Sequence, residues 1–552
     1  MKIVIIGNGI SGITTARYIR KQSDHEILVI SAESDYFFSR TALMYIYMGH
    51  MKYEHTKPYE DWFWTKNKIA LKNAFIKTVN FESKTLLTQT NEEISYDKLV
   101  IATGSKPNKF GWPGQDLKGV QGLYSKQDVE LMEENTKNIT NAVIVGGGLI
   151  GIEMAEMLNS RGIKVNFLIR EKEYWSSILP LEEAKLIGRH IKEHHINLLP
   201  ETELKEILSD ENGHVKGIVT KDNKEMKCQF VGLTTGVSPN IEFLNNTALE
   251  TDRGVLVNEF LETNMTDVYA IGDCAEFKNP KEKHPPIEQL WYTGKMQGKA
   301  LAKTICGTKT KYDRGIWFNS AKFLDIEYQT YGFMFNKPAD NEETFYWEHP
   351  KGKISFRANF SKNDGSLIGF NFFGIRFRQV IADSWIREKQ SISTCIAQLD
   401  KGFFDPEFYK NQQFKLSSDK IFNEFAGAKQ AGIKAKPVII GLVSYLLLGK
   451  EKEEGFDKLD LAGNLLSVYT EILTKLQEQG AEWIQFDEPF LALDLTEKAK
   501  ETYHFVYTEI RKRFPKLKLI VATYFEGLND NASLAVSLSV NVLHIDLVRN
   551  PK

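Results

Sequence analysis

An apolar strand that runs straight into a glycine-rich turn and a helix is the feature that most constrains the fold of this chain. Residues 2–6 are apolar after Lys2, Gly7-Asn8-Gly9-Ile10-Ser11-Gly12 follows, and a second apolar strand over 26–31 ends close to Glu33. In such a turn the first glycine bends the backbone, the second admits a phosphate and the third lets the helix pack on the strand. An acid after the second strand accepts from a ribose. The pattern predicts a dinucleotide site with four binding residues: Gly7, Gly9, Gly12 and Glu33.

The same pattern occurs a second time. A β-rich run over 141–145 leads into Gly146-Gly147-Gly148-Leu149-Ile150-Gly151, an amphipathic helix over 152–161 and a strand over 164–169. Two dinucleotide folds in one chain indicate an enzyme that holds two nucleotides face to face, because hydride transfer requires contact between donor and acceptor rings.

Composition excludes several classes of protein. The 552 residues predict three to four domains, and 42% hydrophobic with 26% charged residues is typical of a soluble globular chain. Lys plus Arg, 70, nearly balance Asp plus Glu, 72, so charge favours neither nucleic acid nor an anionic membrane as partner. No secretory signal is visible, and the apolar run 438–448 is too short to span a bilayer of about 30 Å. We therefore expect a cytoplasmic protein.

The four cysteines predict neither a disulfide framework nor a metal site. They are widely separated, and neither a CxxC pair nor a His/Cys cluster at zinc-finger spacing is present. A reducing compartment fits this pattern.

Two further segments, 97–105 and 266–275, are strands that each end in a glycine turn. The ordered set GxGxxG, ATGS, GGGxxGxE and VYAIGD resembles the FAD- and NAD(P)H-dependent flavoproteins of the pyridine nucleotide-disulfide oxidoreductase superfamily, over about residues 1–410. This resemblance implies that FAD binds at Gly7, Gly9, Gly12, Glu33, Thr103, Gly104, Gly272 and Asp273. It places the nicotinamide dinucleotide at Gly146, Gly148 and Gly151.

Three other positions follow from the resemblance, each with a structural alternative. Arg40 matches an arginine near the flavin, although a surface cation would look the same. Glu153 matches an acid near the nicotinamide, and the alternative is an acid that favours the helix N-terminus. Trp291 matches a residue whose backbone meets the flavin ring, and the alternative is a buried aromatic. Arg40 and Glu153 are the expected catalytic residues.

The end of the strand after the second turn bears on the choice of nicotinamide. An acid there binds the ribose 2′-hydroxyl of NADH, whereas an arginine accommodates the 2′-phosphate of NADPH. The segment Phe167-Leu168-Ile169-Arg170-Glu171-Lys172 favours NADPH, bound by Arg170. Glu171 would instead serve NADH if the strand ended one residue later.

The disulfide-reducing branch of this superfamily uses a CxxxxC pair after the first turn, and residues 39–49 contain no cysteine. Cys274, beside Asp273, is interpreted as a small buried residue. The chain therefore resembles the branch that passes electrons from reduced flavin to an external acceptor, as in rubredoxin and ferredoxin reductases and the flavin modules of nitrite reductases. The expected partner is a small redox protein or a small-molecule acceptor, and a homodimer is left open.

We predict an α/β protein with two Rossmann-like three-layer dinucleotide-binding domains, a small α+β domain and a partial (β/α)₈ barrel. The FAD domain is expected over 1–112 and 245–315, the NAD(P)H domain over 113–244 and the small domain over 316–410. In the small domain, strands over 353–360 and 366–373 flank Asn363-Asp364-Gly365, and a helix over 377–399 follows. Its aromatic residues suit a core better than an acceptor or dimer surface.

Residues 411–552 have a different sequence pattern from the rest of the chain. Strands over 437–441, 483–487, 519–525 and 542–547 alternate with helices, which is the pattern of βα units. The segments KPVIIG, GAEWIQFDEPFLALDL, ATYF and LHIDLVRNP resemble the N-terminal barrel of cobalamin-independent methionine synthase. That family transfers its methyl group on zinc held by His and Cys in a C-terminal barrel, and no such ligand set follows Cys395. Methyltransferase activity is therefore expected to be absent, although Asp487 and Glu488 stand at the carboxyl end of a predicted strand.

Three origins for this tail remain open: a chimeric reading frame, which we favour, a fusion with a degraded tail, or a half barrel that another chain completes. Three functions also remain. The first is an FAD-dependent NAD(P)H oxidoreductase, the second a methionine synthase homologue acting through its tail, and the third a flavin redox sensor. Bound yellow flavin separates the first two.

Overall fold

The computed structural model describes residues 1–281, 283–404, 406–524 and 526–547. The chain divides into two compact units, Met1–Gly402 and Phe403–Lys552. Phe525 and residues 548–552, on which two of the predicted tail segments partly fall, lie outside the described residues. Among the helices that the structure describes, none combines the length and the apolar character needed to cross a membrane.

The strands of the first unit are, in chain order, β1 (Lys2–Ile6), β2 (Glu26–Ser31), β3 (Ile69–Asn73), β4 (Ile76–Asn80), β5 (Thr85–Thr88), β6 (Glu93–Ser95), β7 (Lys98–Ile101), β8 (Ser105–Pro107), β9 (Val120–Gln121), β10 (Asn141–Val145), β11 (Lys164–Leu168), β12 (Asn197–Leu199), β13 (Leu204–Ser209), β14 (Val215–Thr220), β15 (Glu225–Lys227), β16 (Phe230–Leu233), β17 (Val237–Pro239), β18 (Val255–Val257), β19 (Val268–Ala270), β20 (Ala275–Phe277), β21 (Phe318–Phe323), β22 (Ile326–Gly332), β23 (Glu342–Glu348), β24 (Ser355–Ser361) and β25 (Leu367–Phe373). Its helices are α1 (Ile10–Arg20), α2 (Leu43–Tyr47), α3 (Asp61–Lys66), α4 (Lys126–Asn135), α5 (Leu149–Ser160), α6 (Leu181–Glu193), α7 (Trp291–Ile305), α8 (Gln379–Arg387) and α9 (Ile392–Ala397).

Two parallel sheets follow from the two apolar-strand patterns. The first has the strand order β19-β7-β1-β2-β3, and the second has the order β12-β11-β10-β16-β9. The central strands β1 and β10 are apolar on both faces because both faces of a parallel sheet are covered. Ile3, Val4 and Ile5 are fully buried in the first sheet, and Val143 and Ile144 are fully buried in the second. The two glycine turns therefore sit at the carboxyl ends of central strands.

The last part of the first unit is an antiparallel sheet with the order β21-β22-β25-β24-β23. The predicted hairpin is present as β24 and β25, which pair antiparallel. The single helix expected over 377–399 is two helices, because Lys389 has a φ of 51° and Ser391 caps α9 through its hydroxyl at 3.2 Å from the Thr394 amide. Aromatic side chains fill the core, and the rings of Phe372 and Phe377 stack with centroids 4.5 Å apart.

The second unit is built on a parallel sheet with the order β27-β29-β30-β31. Its strands are β26 (Glu407–Phe408), β27 (Val438–Ile440), β28 (Lys450–Glu451), β29 (Trp483–Asp487), β30 (Lys518–Ala522) and β31 (Val542–His544), and its helices are α10 (Lys420–Gln430), α11 (Leu442–Leu448), α12 (Ala462–Glu478), α13 (Glu497–Arg513) and α14 (Ala532–Ser537). The four predicted strands are present: β29 has the predicted bounds, β27 and β31 are shorter, and β30 begins one residue earlier and ends at Ala522. The buried core includes Leu473, Ile484 and Val521.

Candidate functional site

The first glycine turn has the geometry of a phosphate cradle. Gly7 has a φ of 116°, and its N–H donates to the Ile30 carbonyl at 2.7 Å. A Cβ on Gly12 would lie 2.1 Å from the Gly7 carbonyl oxygen, whereas a Cβ on Gly9 would meet no atom within 4 Å. Because Gly9 has no side chain to cap α1, the first amides of the helix remain available to an anion.

The second turn repeats this geometry. Gly146 has a φ of 114°, and its N–H donates to the Leu168 carbonyl at 3.1 Å. A Cβ on Gly151 would lie 2.2 Å from the Gly146 carbonyl oxygen, whereas a Cβ on Gly148 would again meet open space. Both turns thus have a middle glycine, Gly9 or Gly148, that faces free volume, whereas a Cβ on the first or the last glycine would clash with neighbouring atoms.

A cavity of about 710 Å³ begins at the first turn. It brings together nine of the residues predicted from the sequence: Gly7, Gly9, Glu33, Arg40, Thr103, Gly104, Glu153, Asp273 and Trp291. Gly12 and Gly272 lie in the packing around it, and a Cβ on Gly272 would lie 2.5 Å from the Ser11 hydroxyl. The lining does not include Gly146, Gly148, Gly151 or Arg170.

Arg40 is fixed against Glu33 within this cavity. Its two terminal nitrogens lie 2.8 and 2.5 Å from the carboxylate oxygens, and one of them also donates to the Tyr124 carbonyl at 2.6 Å. The Lys126 amide donates to the same carboxylate at 2.9 Å. Although burial opposes the charge, the hydrogen bonds with Glu33 raise the pKa of the Arg40 guanidinium above its ordinary value. The surface-cation alternative for Arg40 therefore does not describe this arginine.

Asp273 is the centre of a second polar network. Its carboxylate accepts from the Ser105 hydroxyl at 3.2 Å and from the Tyr124 hydroxyl at 3.1 Å. Burial raises the pKa of Asp273, and these two hydrogen bonds oppose the rise. Gln289 donates to the Ser105 hydroxyl at 3.0 Å, which completes the chain of contacts. Nearby, Thr103 donates to the Asn240 carbonyl at 2.7 Å.

Glu153 lies in the first turns of α5 and reaches the same cavity. Burial, with a smaller contribution from Glu156, raises the pKa of Glu153 to about 7. The carboxyl group can therefore exchange a proton near neutral pH. Trp291 begins α7 and also lines the cavity, with the Lys295 ammonium 4.8 Å from its ring centroid.

The segment after β11 differs from the sequence expectation by one residue. The strand ends at Leu168, not at Ile169, because Leu168 is the last residue paired with β12. The Gly146 N–H donates to Leu168, and Glu171 lies three residues after Leu168. In the first turn the Gly7 N–H donates to Ile30, and Glu33 lies three residues after Ile30. The Glu171 side chain is 19% exposed, whereas that of Arg170 is 78% exposed.

The structure also brings together residues that the sequence analysis missed. His190 and His194 are one turn apart on α6, and the side chain of Asp325 lies against both. The spacing HxxxH was the available local signal, since it places two imidazoles on one helix face. Asp325 could not be found in this way, because it is more than 130 residues further along the chain.

In the second unit, Glu488 is fully buried and hydrogen-bonded on all sides. It accepts from the Tyr503 and Tyr507 hydroxyls at 3.0 and 2.8 Å and from the Ser444 amide at 2.9 Å. Asp487 accepts from the Tyr524 hydroxyl at 2.8 Å. Glu488 therefore holds the sheet against α11 and α13.

These features together define an α/β fold with two glycine turns of the dinucleotide-binding type and a cavity that begins at the first turn and reaches the helix after the second. Residues 1–298, more than half of the chain, match the family described as pyridine nucleotide-disulphide oxidoreductase, and the chain belongs to that family. Residues 402–552 match the cobalamin-independent synthase N-terminal domain. Both resemblances inferred from the sequence are confirmed.

Relatives divide between the two parts of the chain. A nitrite reductase (NAD(P)H) of Bacillus subtilis is 27% identical over 381 residues, which are 68% of this chain and 45% of the relative. A 5-methyltetrahydropteroyltriglutamate–homocysteine methyltransferase of Flavobacterium johnsoniae is 59% identical over 144 residues, 26% of this chain and 19% of the relative. The chain thus spans less than half the length of either protein.

Among solved structures, NADH:rubredoxin oxidoreductase of Clostridium acetobutylicum is similar in fold. It has a TM-score of 0.57 and 24% identity, and the match covers 72% of this chain and 99% of that one. The mixed α/β fold of the first unit is therefore shared with a known reductase.

Proposed function

We propose that the chain is an FAD-dependent oxidoreductase that oxidises NADH and passes the electrons to a small redox protein. The observation that carries this proposal is the single cavity that joins the first glycine turn to Ile150 and Glu153, which belong to the helix after the second turn. A flavin held from the first turn and a nicotinamide held from the second would meet in that space.

The residues present fit FAD. Gly9 leaves room for a pyrophosphate against the free amides of α1, and Glu33 stands where a ribose hydroxyl would donate. Thr103, Gly104, Asp273 and Trp291 line the remainder of the cavity. When bound, the flavin supplies hydride acceptance and stepwise electron release. The protein positions the rings and excludes water, and Glu153 holds a proton beside them.

NADH is preferred to NADPH in this proposal, which reverses the preference drawn from the sequence. Glu171 takes the same place after the second turn that Glu33 takes after the first, and a carboxylate there binds the two ribose hydroxyls of NADH. The negative charge also repels a 2′-phosphate. From the sequence, NADPH was assigned to Arg170, which is mostly exposed, and NADH was tied to a strand that ended one residue later. Because β11 ends one residue earlier, the choice of Glu171 rests on its equivalence with Glu33 and not on the strand end.

The choice of acceptor rests on what the chain lacks near the flavin site and on its relatives. Residues 39–49 contain no cysteine pair that could relay electrons to a disulfide. The similar structure from Clostridium acetobutylicum is named for rubredoxin as its acceptor. A homodimer and the internal domain boundaries remain predictions.

An anaerobic titration of the purified full-length chain with NADH, and separately with NADPH, tests this function through flavin absorbance. We expect bleaching by one equivalent of NADH, a kcat/KM for NADH about 10-fold or more above that for NADPH, and reoxidation by rubredoxin or ferredoxin. Protein purified without flavin would contradict the proposal and leave the tail as the better guide. Reduction without turnover on any acceptor would favour the redox sensor.

The second candidate, methyl transfer through the tail, is supported by the 59% identity of residues in the second unit to a methyltransferase. Those residues cover 19% of that relative. Both carboxylate oxygens of the buried Glu488 already accept hydrogen bonds from tyrosine hydroxyls of the second unit. We expect no methyl transfer from methyltetrahydrofolate to homocysteine by this chain alone.

A further inference from the structure

A cluster of two histidines and one aspartate lies away from the cavity in the first unit. His190 is on the last turn of α6, and His194 follows as its C-terminal cap. Asp325 lies in the two-residue turn between β21 and β22. One ligand atom from each of the three side chains lies within 4.8 Å of the other two.

The hydrogen bonds of the two imidazoles fix which nitrogens carry protons. The Nδ1 atom of His194 lies 3.0 Å from the His190 carbonyl, which can only accept, so Nδ1 is the protonated nitrogen. The Nδ1 atom of His190 lies 3.4 Å from a Glu193 carboxylate oxygen and its Nε2 atom contacts the Asp325 carboxylate, so its N–H can face either acid. In neutral rings, the Nε2 atom of His194 then presents a lone pair, and that of His190 does so when its Nδ1 atom donates to Glu193.

Both lone pairs face a third electron-pair donor. The His194 Nε2 atom lies 3.5 Å from the Asp325 Oδ1 atom, and the His190 Nε2 atom contacts the same oxygen. Three electron-pair donors that converge on one point attract a positive charge. That point holds either the Nε2–H proton of His190, donated to Asp325, or a cation that replaces this proton and contacts all three side chains.

The surroundings are those of a metal site. Imidazoles that bind metal donate their other N–H to a carboxylate or a backbone carbonyl. Each ring has such an acceptor beside its Nδ1 atom, the His190 carbonyl for His194 and the Glu193 carboxylate for His190. The Lys353 ammonium holds the Asp325 Oδ2 atom at 2.9 Å and leaves Oδ1 toward the histidines. Glu156 adjoins the cluster, and its Oε2 atom is buried without a hydrogen-bond partner, while Lys322 lies 3.6 Å from its other oxygen.

We propose that His190, His194 and Asp325 bind a zinc ion. Two imidazole nitrogens and one carboxylate oxygen are a zinc donor set, with a fourth position left for water or for Glu156. A bound ion would connect α6, the helix that precedes β12 of the second parallel sheet, to the β21–β22 hairpin of the antiparallel sheet. The proposal does not depend on the proposed flavin chemistry.

The test uses the full-length chain, freed of metal with a chelator, and ZnCl₂ as the probe. Calorimetric titration and elemental analysis compare the wild type with His194→Asn and Asp325→Asn. His195→Asn is the matched control, because His195 is the next residue, is exposed and has a φ of 61°, which Asn tolerates. Circular dichroism verifies that each variant is folded.

We expect one zinc ion per chain in the wild type and in His195→Asn. His194→Asn and Asp325→Asn should each weaken binding by about 100-fold, since loss of a group that only orients a ligand already costs about 10- to 100-fold. Zinc should raise the thermal midpoint of the wild type and of the control, and leave that of His194→Asn unchanged. Absence of binding by the wild type, or equal affinity in His194→Asn and His195→Asn, would overturn the proposal.

Discussion

Glu33 and Glu171 lie at equivalent positions, each shortly after the end of a strand, β2 for Glu33 and β11 for Glu171. Each lies three residues beyond the carbonyl that accepts from the first glycine of its turn, Ile30 for Gly7 and Leu168 for Gly146. The same backbone path therefore offers a carboxylate to a ribose twice, once for each proposed nucleotide.

From this equivalence we expect Glu171 to determine the choice between NADH and NADPH. Glu171→Ala should lower kcat/KM for NADH by about 10- to 100-fold, because charge-assisted hydrogen bonds worth about 1.5–3 kcal/mol are lost. The ratio of kcat/KM for NADH to kcat/KM for NADPH should fall accordingly. Arg170→Ala should change neither value appreciably. Stopped-flow reduction of the flavin by each nucleotide measures both. Loss of NADPH use in Arg170→Ala, with NADH unaffected by Glu171→Ala, would restore the assignment to Arg170.

The middle and the last glycine of the first turn should respond differently to substitution by alanine. Gly9→Ala should fold with an unchanged thermal midpoint and little bound flavin, because the added methyl group enters only the free volume of the cradle. Gly12→Ala should be destabilised by about 2 kcal/mol or more, because its methyl group would lie 2.1 Å from the Gly7 carbonyl oxygen. Flavin content and urea unfolding distinguish the two effects. A flavin-replete Gly9→Ala variant would contradict the cradle assignment.

The ion pair between Arg40 and Glu33 should contribute more than a surface pair. Arg40→Met leaves the Glu33 carboxylate without its bidentate partner in the cavity, and should cost about 1–3 kcal/mol together with some flavin affinity. Arg376→Met is the control, since Arg376 makes a bidentate pair with Glu327 at 2.6 and 2.5 Å in an exposed position. It should cost less than about 1 kcal/mol. Equal losses of unfolding free energy in the two variants, measured by urea unfolding, would show that the Arg40 ion pair contributes no more than the exposed pair.

Glu153 should make stability depend on pH. A pKa raised to about 7 means that the folded chain holds this proton more tightly than the unfolded chain does. The stabilisation is complete below the unfolded pKa and is lost as the pH rises through about 7. Urea unfolding of the flavin-free protein at about pH 5.5 and about pH 8 should show the wild type losing about 1–3 kcal/mol relative to Glu153→Gln. The Glu211→Gln variant, changed at an exposed position, keeps Glu153 and should lose the same stability as the wild type over this pH range.

Glu488 offers a test of the second unit. Glu488→Gln puts an amide donor among three donors, the Tyr503 and Tyr507 hydroxyls and the Ser444 amide, and should destabilise the unit by about 1–3 kcal/mol. Hydrogen exchange should rise in peptides from α11 and α13. Asp494→Asn, at an exposed position, should leave exchange unchanged. Equal protection in both variants would remove Glu488 from its packing role.

The sequence predicted what depends on short stretches of chain. The glycine turns could be located because their backbone angles and close contacts are requirements of single residues, and the central strands because they are apolar throughout. The end of β11 could not, because pairing with β12 sets it. The break between α8 and α9 depends on the positive φ of Lys389, which no periodic pattern indicates.

Contacts between distant segments were out of reach for the same reason. Glu33 and Arg40 were both singled out, but their pairing is supported by Tyr124 and by Lys126 at the start of α4, more than 80 residues later. The proposed zinc ligands His190 and Asp325 likewise meet only because α6 lies against the β21–β22 turn. Side chains in a local motif can be assigned from sequence, whereas a network that spans several elements needs the fold.

The placement of the cysteines has a practical consequence for chemical sensitivity. Cys228, Cys274 and Cys395 are buried, and burial raises the pKa of all three thiols. Alkylating agents attack thiolates, so these side chains should resist them. Cys306 is partly exposed and is the natural position for a covalent label. Alkylating agents that inactivate a dithiol reductase should therefore label this protein at Cys306 and leave its proposed reductase activity unchanged.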